Sequence, residues 1–309
     1  MNKIKLDVKN QRLLNLLEKN SRTPISKIAK ELNTSKEVVH YRLKKLLELG
    51  FIKRFYPLID YFAFGYRLYR FVINLHNLKY HARKKIIEDL RKIKKLDLNV
   101  YLSSDWDLEI DIWVRNSEEL YNFYNNFIKK HGEYIKDKEL LLVTAINYYS
   151  HAYLHKNRHT IKIGEKKTET KIDETDERLI KALEENPKAE IIWLSEKIKL
   201  SPSATNRRIK NLIKNKVFLG CIPILNKSLL GYNTYHVEVS LDNPAQKQKF
   251  ISHLEKYKNV IKITELIGSR DIDFELDCKT TVEVDAFLEE LRLAIINIKD
   301  FEVINISND

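Results

Sequence analysis

Residues 20–54 read NSRTPISKIAKELNTSKEVVHYRLKKLLELGFIKR, and the organisation of the whole chain follows from how this stretch is read. Thr23-Pro24 suits a helix start, since Thr caps and Pro fits the first turn. The periodicity predicts a helix over residues 25–32. Asn33-Thr34 leaves only a short turn before Ser35, a good N-cap, opens a second helix running to Leu49. Val39, Leu43 and Leu46 share its buried face, and Gly50 stops it. Upstream, residues 8–19 place Leu13, Leu16 and Leu17 on one helical face. Three helices with a short turn between the last two describe a helix-turn-helix. Residues 51–56 then read as a strand leading away.

The same pattern recurs 166 residues later. Asp7 falls on Asp173, Arg12 on Arg178, Glu18 on Glu184, Ser35 on Ser201, Arg42 on Arg208 and Pro57 on Pro223. Gly65-Tyr66 falls on Gly231-Tyr232, and Asp105, Asp107, Glu109 and Asp111 fall on Asp271, Asp273, Glu275 and Asp277. One register held over about 100 residues is a duplication. The chain therefore divides into a helix-turn-helix domain over 1–60, a second domain over 61–149, a joint over 150–170, a second helix-turn-helix over 171–226 and a final domain over 227–309. The joint is Lys-rich, and a flexible segment of its length spans about 25 Å, enough for the units to pair as an internal pseudo-dimer or to join a homo-oligomer.

In the first copy, residues 69–75, 100–102, 107–114 and 140–148 read as strands, and 81–95 and 117–131 as helices. The second copy gives strands at 235–241, 260–267, 271–278 and 301–306 and helices at 244–256 and 282–296, the latter opening with the capping box Thr280-x-x-Glu283. The order β-α-β-β-α-β is that of a ferredoxin-like domain, so the fold class is α+β: two copies of a winged helix-turn-helix followed by a ferredoxin-like domain, which the family resemblance given below implies is a sensor or dimerisation domain.

The net charge of +12 is unevenly spread. Residues 1–60 carry 14 Lys/Arg against 6 Asp/Glu, whereas residues 227–309 carry 10 against 15. A basic N-terminal module points to nucleic acid. Two cysteines make no disulfide framework, and no apolar run suits a membrane or a secretion signal, so a cytoplasmic protein is expected. Seven glycines include no phosphate-binding loop. No cofactor, catalytic residue or metal is expected. His151, His155 and His159 are spaced four apart, but without acidic or cysteine partners they read as solvated joint residues.

Leu6-Asp7, Asn20-Ser21-Arg22-Thr23-Pro24, Ile28-Ala29, Ser35-x-x-x-Val39-x-x-Arg42-Leu43-x-x-Leu46 and Gly50-Phe51-Ile52 resemble the Lrp/AsnC, or feast/famine, family of prokaryotic transcription regulators. The tandem arrangement departs from the single unit usual there. The resemblance implies double-stranded DNA as partner, an amino-acid effector and association through the sensor domains. In such a module the third helix lies in the major groove. Ser35, Lys36, Glu37, His40, Tyr41, Arg42, Lys44 and Lys45 are the candidates on it, with Lys53 and Arg54 reaching the flanking backbone; Arg42 alternatively ties the helix to its neighbours. The second copy offers Ser201, Ser203, Asn206, Arg207, Arg208 and Lys210, with Leu219-Gly220 in place of Lys53-Arg54. Unlike helices predict an asymmetric operator.

For the effector, the resemblance implies Asp107 and Asp273, with Ser104 and Arg270 where the family has glycine. Side chains there argue against the usual ligand approach. The alternate acids otherwise line a solvated sheet face. Two other readings of the architecture are a siroheme-decarboxylase-like enzyme, which needs basic and histidine residues around a tetrapyrrole, and a protein-interaction module that has lost DNA reading.

Overall fold

The computed structural model describes residues 6–76, 80–93, 96–100, 106–164, 170–294 and 298–306. The first helix-turn-helix is α1 (Val8–Asn20), α2 (Ile25–Glu31) and α3 (Lys36–Glu48), with Asp7 and Ser35 accepting from the Asn10 and Val38 amides as N-caps. Its second copy is α7 (Glu174–Glu185), α8 (Ile191–Ile198) and α9 (Pro202–Lys214), capped by Asp173 and Ser201. After α3 comes β1 (Ile52–Ile59) and after α9 comes β7 (Phe218–Leu225). Neither strand folds back on its own module. They pair antiparallel with each other, Phe55 opposite Pro223 and Tyr56 opposite Ile222.

This exchange decides where the cores lie. Leu13, Leu14, Leu17, Ile28, Val39 and Leu46 of the first module pack with Leu225 of the second unit. Leu179, Leu183, Leu194, Ile209 and Leu212 of the second pack with Ile59, Tyr61, Phe64 and Tyr66 of the first. Each helix-turn-helix module thus closes its core with the other unit's connector, and the two units are paired within one chain.

The ferredoxin-like domains follow: β2 (Arg67–Leu75), α4 (Tyr80–Arg91), β3 (Leu96–Val100), β4 (Leu108–Val114), α5 (Ser117–His131) and β5 (Ile135–Tyr149) in the first, and β8 (Asn233–Leu241), α10 (Lys247–Leu254), β9 (Val260–Ile267), β10 (Ile272–Cys278), α11 (Thr281–Ala294) and β11 (Ile298–Ile306) in the second. Their strands join into one sheet of order β11-β8-β10-β9-β5-β2-β4-β3 through the pairing of β5 with β9. One face of each half is apolar and helix-covered: Phe71, Ile73 and Ile110 under α4 and α5, and Val237, Val239 and Phe274 under α10 and α11.

The opposite faces meet each other. Arg70 on β2 pairs with Asp273 on β10, although three strand spacings, about 14 Å along a flat sheet, separate these strands. The sheet must therefore curl over on itself. Arg70, 1% exposed, also forks onto Asp111 at 2.8 and 2.9 Å and reaches Glu109 at 3.2 Å. The period-two acids predicted to face solvent accordingly face inward: Glu109 is 1% exposed and Asp273 0%. Alternation marks two faces, and in a face-to-face sandwich both are covered.

Three further expectations are corrected. The strand placed at 100–102 lies at Leu96–Val100, with 101–105 outside the described residues. The helix over 244–256 is divided into a short turn at Pro244–Gln246, where the Asn243 side chain accepts from the Ala245 amide, and α10. Over residues 150–164 the joint is not a loose tether. It holds α6 (Ala152–His155) and β6 (Thr160–Ile163), the latter paired with the end of β5. Its histidines are not solvated either: the carboxylate of Glu18, 5% exposed on α1, bonds His151 and, at 2.5 Å, His155. Burial alone would raise the Glu18 pKa, but the two imidazoles hold it down at about 2.

Removing one member of a buried ionic cluster strands the others, so Glu18→Gln should destabilise the chain by about 3–5 kcal/mol at neutral pH. A carboxylate depressed from 4.5 to about 2 contributes fully above the higher value and loses its contribution as pH falls towards the lower. Urea unfolding of the two proteins should therefore show a gap that closes between those pH values; a gap constant down to pH 2 would contradict the pairing.

Candidate nucleic-acid interface

In both modules the third helix is held by the same device. Arg42 bonds both Asp7 oxygens, at 2.9 and 2.7 Å, and Asn10 at 2.8 Å; Arg208 bonds Asp173 and Asp176 in the equivalent places. The Nη1 of each guanidinium is thus engaged by the first helix of its own module, so Arg42 and Arg208 brace the third helix from within the set of DNA-contact candidates. Ser35 and Ser201 are committed as N-caps through their side-chain oxygens.

The remaining candidates stand outward. Lys36, Glu37, His40, Tyr41, Lys44 and Lys45 are all exposed on α3, Tyr41 by 65%. Ser203, Asn206, Arg207 and Lys210 are exposed on α9. The apolar positions between them are buried, which fixes the rotation of each helix about its axis. Lys53 and Arg54 are exposed on β1, beside the start of α3's module.

The second copy lacks that basic pair for a packing reason. Gly220, in the register of Arg54, has φ +114°, and a Cβ there would lie 3.1 Å from the Asn20 side chain. The turn after α1 presses on this spot. In the same turn Arg22 donates to the carbonyls of Pro187 at 2.7 Å and Ala189 at 3.1 Å, across to the turn of the second module. Lys188, the register mate of Arg22, stacks over Phe55 at 4.4 Å. Arg22 was legible only as part of a motif; that it joins the modules required knowing that the turns meet.

The four effector candidates do not converge. Ser104 lies outside the described residues. Asp107 accepts from the Leu75 amide at 2.8 Å and pairs with Arg83. Asp273 is sealed between the sheets on Arg70, and Arg270 is engaged by Glu238 and Glu302. A ligand bridging them would have to enter closed ion pairs.

Space for a small molecule lies elsewhere, between the β1–β7 ribbon and the inner sheet face. One cavity of about 280 Å³ is lined by Glu18, Tyr148, His151, Ile222, Lys227 and Lys262. Another of about 670 Å³ is lined by Arg54, Tyr56, Tyr61, Trp113, Tyr148 and Glu184. They are twins of the duplication: Glu18 matches Glu184, Ile222 matches Tyr56 and Lys227 matches Tyr61 in the 166-residue register. Both Cys221 and Cys278 are buried, and burial pushes each thiol up to about 11. Among the described residues no helix is long and apolar enough to cross a membrane.

A winged helix-turn-helix DNA-binding family model matches residues 6–53 and 172–217. The HTH-type transcriptional regulator FL11 of Pyrococcus horikoshii is 30% identical over 122 residues, 39% of this chain and 79% of its own length. Among solved structures, the siroheme decarboxylase NirDL aligns with a TM-score of 0.69 at 12% identity, covering 98% of this chain and 91% of its own, a likeness of fold alone. AsnC of E. coli aligns with 45% of this chain and 95% of its own, at 18% identity and a TM-score of 0.40.

Arg42→Ala and Arg208→Ala should each lower stability by about 1 kcal/mol in the absence of DNA, the modest figure reflecting half-exposed acids. Arg22→Ala, which loses two charge-assisted bonds, should cost about 1.5–3 kcal/mol. Unfolding curves without DNA decide this: an Arg42→Ala protein as stable as its parent would contradict the brace.

Proposed function

Because the chain belongs to the Lrp/AsnC family of helix-turn-helix transcription regulators, we propose that it reads an asymmetric DNA site as a preassembled pair of unlike modules. The observation that carries this reading is the contrast between the helices. Their scaffolding is duplicated, down to the Arg42–Asp7 and Arg208–Asp173 braces, while the outward residues differ at almost every position. On α3 the base-reading set is Lys36, Glu37, His40 and Tyr41; on α9 it is Ser203, Asn206 and Arg207. Asn and Arg suit bidentate contact with adenine and guanine respectively. Lys44, Lys45, Lys53, Arg54 and Lys210 supply phosphate contacts, which set affinity but carry no sequence information. More of them belong to the first module, so it anchors and the second discriminates.

An effector acts from the twin cavities beneath the β1–β7 ribbon in this reading. The ribbon is the shared connector of both modules, so a small molecule wedged under it changes their relative setting. The aromatic lining of the larger cavity and the Lys and Glu groups at its edge suit an amphipathic ligand such as an amino acid.

The test is selection of bound duplexes from a random library, followed by salt titration. A non-palindromic site is expected. His40→Ala with Tyr41→Ala should relax preference in one half, and Asn206→Ala with Arg207→Ala in the other, by about 1–3 kcal/mol per lost base contact. Lys44→Ala with Lys45→Ala should reduce the salt slope by about 2. A perfect palindrome bound by one chain would overturn the asymmetry. Failure to retain DNA, together with a tetrapyrrole absorbance in the purified protein, would favour the decarboxylase-like alternative.

A further inference from the structure

We infer that Glu109, His236 and Glu238 form a site for one divalent transition-metal ion of the zinc class, held between the two halves of the sheet. All three are at most 2% exposed. Glu109 comes from β4 of the first unit, whereas His236 and Glu238 stand two apart on β8 of the second, on one face of that strand. Their ligand atoms all lie within 4.8 Å of one another. His236 Nε2 is 3.8 Å from Glu109 Oε2 and 3.6 Å from Glu238 Oε1. Those separations exceed a hydrogen bond. They are close to the edge of a tetrahedral shell, about 3.4 Å for ligands 2.1 Å from zinc.

The glutamates are also oriented from behind. Arg70 Nη2 holds the other oxygen of Glu109 at 3.2 Å, and Arg270 Nε holds the other oxygen of Glu238 at 3.2 Å. One oxygen of each carboxylate is thereby fixed on an arginine and the second turned to the imidazole, the outer-shell arrangement that aligns metal ligands. The Zn preference follows from an imidazole with two carboxylates, a borderline nitrogen and oxygen set.

Two independent observations show that positive charge is short here. Asp273, beside His236 and fully enclosed, has its Oδ1 atom without a hydrogen-bond partner. Two arginines face the four acids Glu109, Asp111, Glu238 and Asp273. A metal ion supplies the missing charge. Arg270 is the partly exposed member, 20% by its side chain.

The duplication predicts the stoichiometry. In the 166-residue register Arg70 stands where His236 does, Val72 where Glu238 does and Glu275 where Glu109 does. An arginine and a valine cannot complete the twin site, so the chain holds one ion. Because its ligands come from both units, the ion is a stitch across the pseudo-two-fold interface.

The experiment is titration of the metal-stripped full chain with zinc chloride by calorimetry, with thermal unfolding in parallel and Co(II) as a visible-absorbing probe. One equivalent of zinc, an unfolding midpoint that rises with zinc concentration and Co(II) ligand-field bands are expected. Glu238→Gln keeps the shape of the side chain and should weaken binding about 10-fold or more, as should His236→Gln, while their metal-free circular dichroism stays that of the parent. Arg270→Ala should weaken it about 10-fold by freeing Glu238, and His159→Gln, whose side chain meets Asn15 on α1 rather than the cluster, should leave it unchanged. Absence of a stoichiometric equivalent, or zinc binding undiminished in both Glu238→Gln and His236→Gln, overturns the site. Should either variant fail to fold, the parent's Co(II) spectrum decides: no bands, no site.

Discussion

The antiparallel pairing of β1 with β7 is the constraint from which the rest of the architecture descends. A connector that paired within its own module would leave two independent helix-turn-helix units on tethers. By pairing with each other, the connectors carry Leu225 into the first module and Ile59 into the second, so that neither core is complete without the other unit. The ribbon brings the turns after α1 and α7 together, where Arg22 bonds the opposite backbone. Below, it roofs the twin cavities against the inner sheet face. Recognition helices, cavities and sheet are therefore mechanically one object.

Duplication followed by divergence explains the inner layer. In a symmetric pair, Arg70 would face its own copy across the axis, and two guanidinium groups would repel. Here the second copy has His236, and Arg70 finds Asp273 instead. Lys262 and Glu275, bonded at 3.0 Å, occupy the neighbouring region. Buried charges of this kind are costly unless paired, and their complementarity matters in an interface whose two sides come from the two copies of a duplication. It favours the one alignment in which every arginine meets acids.

Much of this was legible in the residues. The helices of the first module were predicted within about a residue or two at their bounds, because capping residues and apolar spacing are local signals; Ser117–His131 and Val260–Ile267 were placed as they stand. The pairing partners were not legible. Nothing in residues 52–59 says that they meet 218–225 rather than a hairpin partner, and Glu109 alternating with Ile110 looks the same whether its polar face meets water or another sheet. The joint misled for a related reason: lysines and histidines suggest solvent, yet His155 is buried because Glu18, distant in sequence, awaits it. Arg42 carried two meanings, and the bond to Asp7 that gives the bracing one its geometry was not legible in the residues. Residues whose role depends on a neighbour far along the chain are those that composition and periodicity misplace.

Fusion of the two units into one chain also changes how the protein responds to its own abundance. A regulator that must first dimerise is present in active form in proportion to the square of its concentration when scarce, and it falls apart on dilution. In this chain the partner is always supplied, at an effective concentration set by the backbone, so the paired state needs no second molecule. Occupancy of its site then scales linearly with copy number down to very few molecules. Each substitution, moreover, is made once rather than twice: one half of the molecule is free to acquire a new preference while the other keeps its old one.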